Sequence, residues 1–251
     1  MRRWQKWATA LMTILGLSLP LAGAGADDGH AHGDLSREQI EAIVRDYLMR
    51  EPEVVFQALE ELQRRQAAAQ SERQQAAIKS QEDQLLRDPE APVAGNPDGA
   101  VTLVEFFDYR CHYCRRVVGS VQALIEEDTD LRLVFKELPV LGEDSIRAAR
   151  AALASRKQDR YLPFHFALMD SDDLSMAGIK QTAASIGLDA VQLQADMEAP
   201  EIDAAIQANY ELARALGIEG TPAFVIGDQL IPGAVDRSRL EELIAEARAA
   251  G

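Results

Sequence analysis

Two cysteines constrain this chain more than any other feature. Cys111 and Cys114 are the only cysteines in 251 residues. They stand three apart, as Cys111-His112-Tyr113-Cys114. Before them runs Val101-Thr102-Leu103-Val104-Glu105-Phe106-Phe107, rich in β-branched and aromatic residues, which reads as a strand. After them residues 114–127 read as a helix, with Val117, Val118, Val121, Leu124 and Ile125 on one side. The dithiol is therefore expected at a strand-to-helix corner. A disulfide across so small a loop contributes only ~2 kcal/mol on the chain-entropy estimate, whereas a structural staple joins distant segments. Chemistry explains the pair better than stability does. A structural zinc site needs four ligands, usually two such pairs or an added histidine pair. No second cysteine pair exists, His112 and His165 have no ligand spacing with the dithiol, and His30 and His32 fall in a polar tail. No metal site is assigned. The placement after a strand and before a helix points to a redox dithiol.

Disulfide exchange requires one thiol that ionises near neutral pH. A free cysteine has a pKa of ~8.5, which helix N-termini and nearby cations lower. Cys111 is expected at the N-terminus of its helix, facing unpaired N–H groups and the positive end of the dipole. Cys114, one turn further in and more buried, is expected to be the resolving thiol, which releases a mixed disulfide by attacking Cys111.

The rest of the chain builds around this corner. Leu131-Arg132-Leu133-Val134-Phe135 reads as a second strand, completing a right-handed parallel βαβ unit. From about 142 to 216 the pattern is helical, broken near Asp170–Asp173, at Gly187 and at Pro200. Ala223–Ile226 and Gln229–Ile231 read as two further strands, and Asp236 as the cap of a last helix. On the N-terminal side, Ser36-Arg37-Glu38-Gln39 is a capping box. The apolar stripe Ile40, Ile43, Val44, Tyr47, Leu48 follows, then Pro52 and a face of Val55, Leu59 and Leu62. From Gln63 to about Gln84 the composition shifts to Gln, Ala, Arg and Glu, strong helix formers with little to bury. They suit a solvated stalk or a helix that packs against copies of itself. Pro and Gly between Asp88 and Gly99 mark a boundary. The expected organisation is a helical, oligomerising segment over 36–88 and a second domain over 92–251.

The first residues have another character. Arg2, Arg3 and Lys6 precede an apolar run from about Ala8 to Leu21 and the small-residue stretch Ala22–Ala26. This is the order of a secretory signal peptide, 1–26, with cleavage expected after Ala26 or Ala24. An uncleaved anchor is the alternative, although the run is short of the ~20 residues of a comfortable membrane span. Residues 27–35 read as a flexible tail. Losing Arg2, Arg3 and Lys6 moves the formal charge from −15 to −18. A chain this acidic repels nucleic acid and anionic lipid, so neither is an expected partner.

Glu105-Phe106-Phe107-Asp108-Tyr109-Arg110-Cys111-His112-Tyr113-Cys114 resembles the catalytic segment of the DsbA family of periplasmic oxidoreductases. Thr221-Pro222 before a strand resembles that family's cis-proline loop, and the helical stretch 142–216 its insertion. The resemblance covers about 92–251. It implies an α/β, thioredoxin-like fold with a helical insertion, and no cofactor beyond the redox-active Cys111–Cys114 disulfide. Glu105 corresponds to the family's buried acid beneath the dithiol. Burial there raises its pKa, suiting it to shuttle the Cys114 proton. Lys136, ending the second strand, matches the family's lysine partner. A cis Pro222 is expected opposite Cys111, with the backbone of Thr221 pairing with an extended substrate segment. His112 stabilises a neighbouring thiolate when protonated. This pair departs from the Pro-His common in strong oxidases: Tyr113 before the second cysteine, with Thr before the proline, resembles disulfide isomerases.

With the segment 36–87, the chain resembles the suppressor of copper sensitivity protein C group, in which such a segment drives oligomerisation. The resemblance implies a periplasmic homo-oligomer that acts as an isomerase or reductase on unfolded or misfolded secreted proteins. A membrane-embedded partner would keep it reduced. A monomeric dithiol oxidase and a copper-binding periplasmic protein are the alternatives, the second because Cu(I) favours thiolates.

Overall fold

The computed structural model of the protein describes residues 35–250. The signal-peptide and tail readings, with His30 and His32, lie outside the described residues. Contacts divide the chain between Ala58 and Leu59.

In the N-terminal unit, Ser36 caps helix α1 (Arg37–Arg50). Its hydroxyl accepts from the Gln39 N–H (3.3 Å), and the Gln39 side-chain carbonyl accepts from the Ser36 N–H (2.9 Å). That reciprocal bonding satisfies two donors the first helical turn would leave open. Among the described residues the apolar stripe of α1 stays exposed: no α1 residue is buried, and Ile43 is 56% exposed. Helix α2 (Glu53–Ser80) follows and runs past the division of the chain. Val55, Phe56, Leu59 and Leu62 are exposed along it.

The second unit is a five-stranded mixed sheet wrapped by helices. Its chain order is α3 (Glu82–Leu86), β1 (Val93–Gly95), β2 (Val101–Phe107), α4 (His112–Glu127) and β3 (Leu131–Glu137). Helices α5 (Glu143–Ala154), α6 (Tyr161–Asp170), α7 (Met176–Ser185), α8 (Ala190–Asp196) and α9 (Pro200–Leu216) form the insertion. Then come β4 (Ala223–Ile226), β5 (Gln229–Pro232) and α10 (Arg237–Ala250). The strand order is β1-β3-β2-β4-β5, with β2 and β3 parallel and the other pairs antiparallel. This is the thioredoxin-like fold with a helical insertion.

The central strands are covered on both faces, which explains their unbroken apolar runs. Leu103 and Phe107 of β2, with Leu131, Leu133 and Phe135 of β3, face a core shared with α4, α10 and the insertion. Val104, Phe106 and Val134 face a second core with Leu212 and Leu216 of α9. Ile78 of α2 and Leu85 of α3 belong to that second core. The polar run from Gln63 to Gln84 thus does bury something. One large apolar side chain per few turns anchors a helix whose other faces stay in water.

Strand β1 falls where only a boundary was read. Three residues between Pro92 and Asn96 carry no periodic signal of their own; the strand exists because Val93 and Gly95 pair with Val134 and Arg132. Gly95 has φ +72°, and a Cβ there would stand 2.4 Å from the Leu131 carbonyl oxygen. Only glycine fits such an approach.

Candidate active site

The site lies where β2 gives way to α4. Cys111 is the N-cap of α4, in extended conformation, and no side chain caps the helix. Its thiol therefore stands at the positive end of a helix whose first N–H groups no side chain occupies. The first turn of α4 holds no acidic residue. Cys111 is 6% exposed and Cys114 fully buried, and both are free thiols. Burial raises the Cys114 pKa far above that of a free thiol, outweighing its backbone hydrogen bond at Asp108. The two sulfurs are thus unequal: one at the rim of the site, slightly exposed, the other protonated and enclosed.

The Thr221–Pro222 peptide is cis. It brings the Thr221 carbonyl within 3.2 Å of the Cys111 Sγ, which donates to it. Antiparallel pairing of β4 with β2 carries this loop to the dithiol: Ala223 lies opposite Phe106 at the same sheet end from which the Cys111 loop departs.

Glu105 is 2% exposed and sits on the strand face that carries Leu103 and Phe107, beneath the dithiol. Burial alone pushes its carboxyl up to about 8. A carboxyl with that proton affinity holds its proton at neutral pH and releases it over the range in which thiols exchange.

Lys136 does not join this group. Side chains alternate along a strand, and the register sets Glu105 opposite Phe135, with Lys136 opposite Phe106. Lys136 therefore points to the other face of the sheet, where its Nζ donates to Asp88 Oδ2 at 2.6 Å. Its match to the lysine partner of the acid is corrected: Lys136 ties the segment after α3 to the back of the sheet. Burial lowers its pKa, the Asp88 hydrogen bond opposing this.

His112 and Tyr113 are exposed on the first turn of α4, their rings edge to face at 6.0 Å. The Arg116 guanidinium lies over the Tyr113 ring, 4.9 Å from its centroid. Tyr113 (55% exposed), Val140 and Leu141 are exposed apolar groups of this region.

Several residues that hold the site were not singled out in the sequence. Asp108 is 1% exposed, and its Oδ1 accepts from the Ser145 hydroxyl and the Arg110 N–H, both at 2.7 Å. Its Oδ2 accepts from the Leu141 N–H (3.0 Å) and its carbonyl from the Cys111 N–H (3.1 Å). Arg115 donates to the Tyr109 carbonyl (2.9 Å) and the Ser171 carbonyl. Tyr109 reaches Glu137 and His165. Parity along β3 would have marked Glu137, two residues after Phe135, as facing the dithiol side. Nothing in the order of residues marks His165, which α6 brings in from 54 residues beyond Cys111.

A cavity of about 720 Å³ lies on the opposite face, lined by Ile78, Leu85, Thr102 and Val225 among others. Among the described residues no helix is long and apolar enough to cross a membrane.

The family model of the DSBA-like thioredoxin domain matches residues 102–245. That of the copper resistance protein ScsC N-terminal domain matches 37–69. A thioredoxin-like oxidoreductase from Silicibacter pomeroyi DSS-3 is 51% identical, with a TM-score of 0.66 over 67% of this chain and 98% of that one. Proteus mirabilis ScsC, in a conformation described as transitional, is 34% identical, with a TM-score of 0.65 over 85% of this chain and 97% of its own. The Na(+)/H(+) antiporter NhaA of Herminiimonas arsenicoxydans is 30% identical over 164 residues, 64% of this chain. The chain spans about a quarter (26%) of that antiporter's length.

Proposed function

Because this chain belongs to the DsbA-like thioredoxin family of thiol–disulfide oxidoreductases, with a ScsC-type N-terminal domain ahead of the catalytic one, we propose that it is an exported disulfide isomerase or reductase that works as a homo-oligomer through Cys111 and Cys114. The observation that carries this is the pairing of a rim thiol at a helix N-terminus with the carbonyl of a cis-proline loop, 3.2 Å apart, above an enclosed second thiol.

The chemistry follows from that arrangement. The Cys111 thiolate attacks a substrate disulfide; a Cys111–substrate S–S bond forms and the other substrate sulfur leaves as thiolate. In isomerisation, that or another substrate thiolate attacks the mixed disulfide and regenerates the Cys111 thiolate, with no net redox change. In reduction, Glu105, in the fraction that has released its own proton, takes the Cys114 proton as Cys114 attacks Cys111 Sγ. The mixed disulfide breaks, the substrate leaves as a second thiolate, and the enzyme holds the Cys111–Cys114 disulfide. Turnover then needs a dithiol donor, which we assign to a membrane-embedded partner in the periplasm. The Thr221 backbone supplies a docking edge for an extended substrate segment, and His112 and Tyr113 tune the thiolate and border that segment.

The unpartnered stripe on α1 supports self-assembly, since a face of Ile43, Val44 and Tyr47 left in water is costly. Several dithiols in one assembly can hold one misfolded chain. The test compares scrambled with reduced ribonuclease. An isomerase restores activity to the scrambled substrate; recovery confined to the reduced substrate would mark a dithiol oxidase and sink this reading. A strictly monomeric mass in sedimentation would remove the oligomer. The relation to a copper resistance protein supports testing Cu(I) binding with and without Cys111→Ser, copper being a further ligand of the same two thiolates.

A further inference from the structure

The strand face that carries Glu105 carries a second carboxyl. Parallel register sets Glu105 opposite Phe135 and Phe107 opposite Glu137. The two acids are diagonal neighbours on one face of β2 and β3, and both are buried. Their surroundings differ. Burial is the whole influence on Glu105. Glu137 Oε1 accepts from the Tyr109 hydroxyl (3.0 Å) and the Tyr161 hydroxyl (2.8 Å). The Tyr109 oxygen is also 3.0 Å from His165 Nδ1. At the ends of this chain, Glu137 Oε2 and His165 Nε2 are buried without a partner. Folded proteins leave few such atoms, so two in one network call for a reason.

Proton counting supplies it. Tyr109 has one hydroxyl proton and cannot donate to Glu137 and His165 together. With Glu137 ionised, Oε2 is a bare anionic oxygen in an aromatic core, the costliest arrangement. With the proton on Glu137 Oε1, the order closes: Glu137 donates to Tyr109, Tyr109 donates to His165 Nδ1, and only a neutral carbonyl oxygen and a neutral N–H stay open. Every group facing Glu137 agrees. Glu105 comes from β2 and Asp108 from the loop, both acids. Tyr161 and His165 come from α6, and burial depresses His165 to about 3, keeping the ring neutral. Asn209 of α9 donates to the Glu137 carbonyl (3.1 Å) and carries no charge. The Lys136 ammonium lies on the far face with Asp88. Burial drives the Glu137 carboxyl well above the ordinary range, against the two phenol donors.

We propose that Glu137 is a permanently protonated positioning residue of the redox centre: its hydrogen bond passes through Tyr109 to His165, fixing the loop that bears Cys111 to the helical insertion and leaving Glu105 as the one buried carboxyl that exchanges a proton with Cys114. The inference rests on the oxidoreductase reading. Tyr109 lies two residues before the nucleophile, and its carbonyl is held by Arg115, so its ring and backbone are pinned from two sides. Charge on Glu105 opposes ionisation of Glu137. A neutral Glu137 leaves the proton affinity of Glu105 set by burial and free of a neighbouring charge.

The test uses the full chain in two arms. In a Glu105→Gln background, infrared spectra at pH 7 should show the carbonyl stretch of a protonated, buried carboxylic acid, lost on adding Glu137→Gln. Absence of that band overturns the proposal. Should the double variant fail to fold, the difference between wild type and the single Glu137→Gln variant at pH 6 reports the same band. In the second arm, the equilibrium constant of the dithiol against glutathione is measured. Tyr109→Phe and Glu137→Met, which cut the chain, should each shift it about threefold to tenfold, the worth of a hydrogen bond. Glu137→Gln keeps a neutral donor and should restore most of the Met variant's shift. A Tyr109→Phe protein with lower Tm but an unshifted constant, or a Gln variant as shifted as Met, would reduce the network to a structural prop. Failure of the wild type to exchange with glutathione would sink the oxidoreductase reading instead, leaving the infrared result standing.

Discussion

Two buried titratable side chains make opposite demands on pH. Glu105 has its proton affinity raised to about 8 by burial, so the folded state binds more protons than the unfolded one between the unfolded value near 4.5 and about 8. Stability therefore falls as pH rises through that window, by a few kcal/mol at most. Glu105→Gln is expected to flatten Tm against pH there, while slowing resolution of the mixed disulfide about 100-fold by loss of the general base. Stopped-flow release of substrate from Cys111 measures the second effect, and an unslowed release would exclude Glu105 as the proton acceptor. His165 is depressed to about 3. Its contribution to stability is complete above the unfolded value of ~6.5 and is lost as pH falls toward 3. A His165→Gln variant should lose less stability between pH 6 and pH 4 than wild type in urea titrations; an equal or greater loss would mean that the ring is not the group that titrates.

At the scale of elements, α1 and the β3 strand behave differently from what their compositions suggest in isolation. The stripe of α1 is amphipathic but unburied, so its energetic value is realised only against another surface. Replacing Ile43 and Tyr47 by Lys keeps helix propensity and should dissociate the proposed assembly in sedimentation while leaving the stability of the catalytic unit within about 0.5 kcal/mol, as for surface changes. An unchanged mass would exclude the stripe as the contact. Strand β3 carries two ionisable residues at its end, Lys136 and Glu137, that serve opposite faces. Lys136→Met breaks the pair with Asp88, which is 23% exposed at its side chain, so the cost should be about 2–3 kcal/mol, below the range for fully buried pairs. The same variant should leave the glutathione equilibrium constant unshifted, because the ammonium lies across the sheet from the dithiol. A large shift there would return Lys136 to the redox centre.

For the whole molecule, the insertion does more than cover the sheet. Ser145 of α5 holds Asp108, Tyr161 and His165 of α6 hold Tyr109 and Glu137, and the Ser171 carbonyl after α6 takes Arg115. A four-residue loop between strand and helix is thus positioned by residues 30 to 60 positions further along the chain. Rigid support of this kind is what a nucleophile requires to keep one geometry through two attacks. The conformation of the loop should consequently follow the stability of the insertion. Hydrogen exchange at the Cys111 amide is expected to match that of α5 and α6, and exchange far faster than in those helices would show the loop to be independent of them.

The order of residues was enough to determine the dithiol, the strand and helix that flank it, the capping box of α1 and the helical character of 142–216. Each of these is written in nearest-neighbour terms: a period, a cap, a spacing of three. Three-dimensional packing alone decided the remainder. It made a strand of Val93–Gly95, because pairing partners and not local propensity define an edge strand. It buried Ile78 and Leu85 in an otherwise polar stretch. It sent Lys136 to Asp88 and set Glu137, one residue along, on the dithiol side of the sheet. Alternation on a strand turns a step of one residue into opposite faces of the sheet, and which face meets the dithiol is fixed only when the neighbouring strand sets the register.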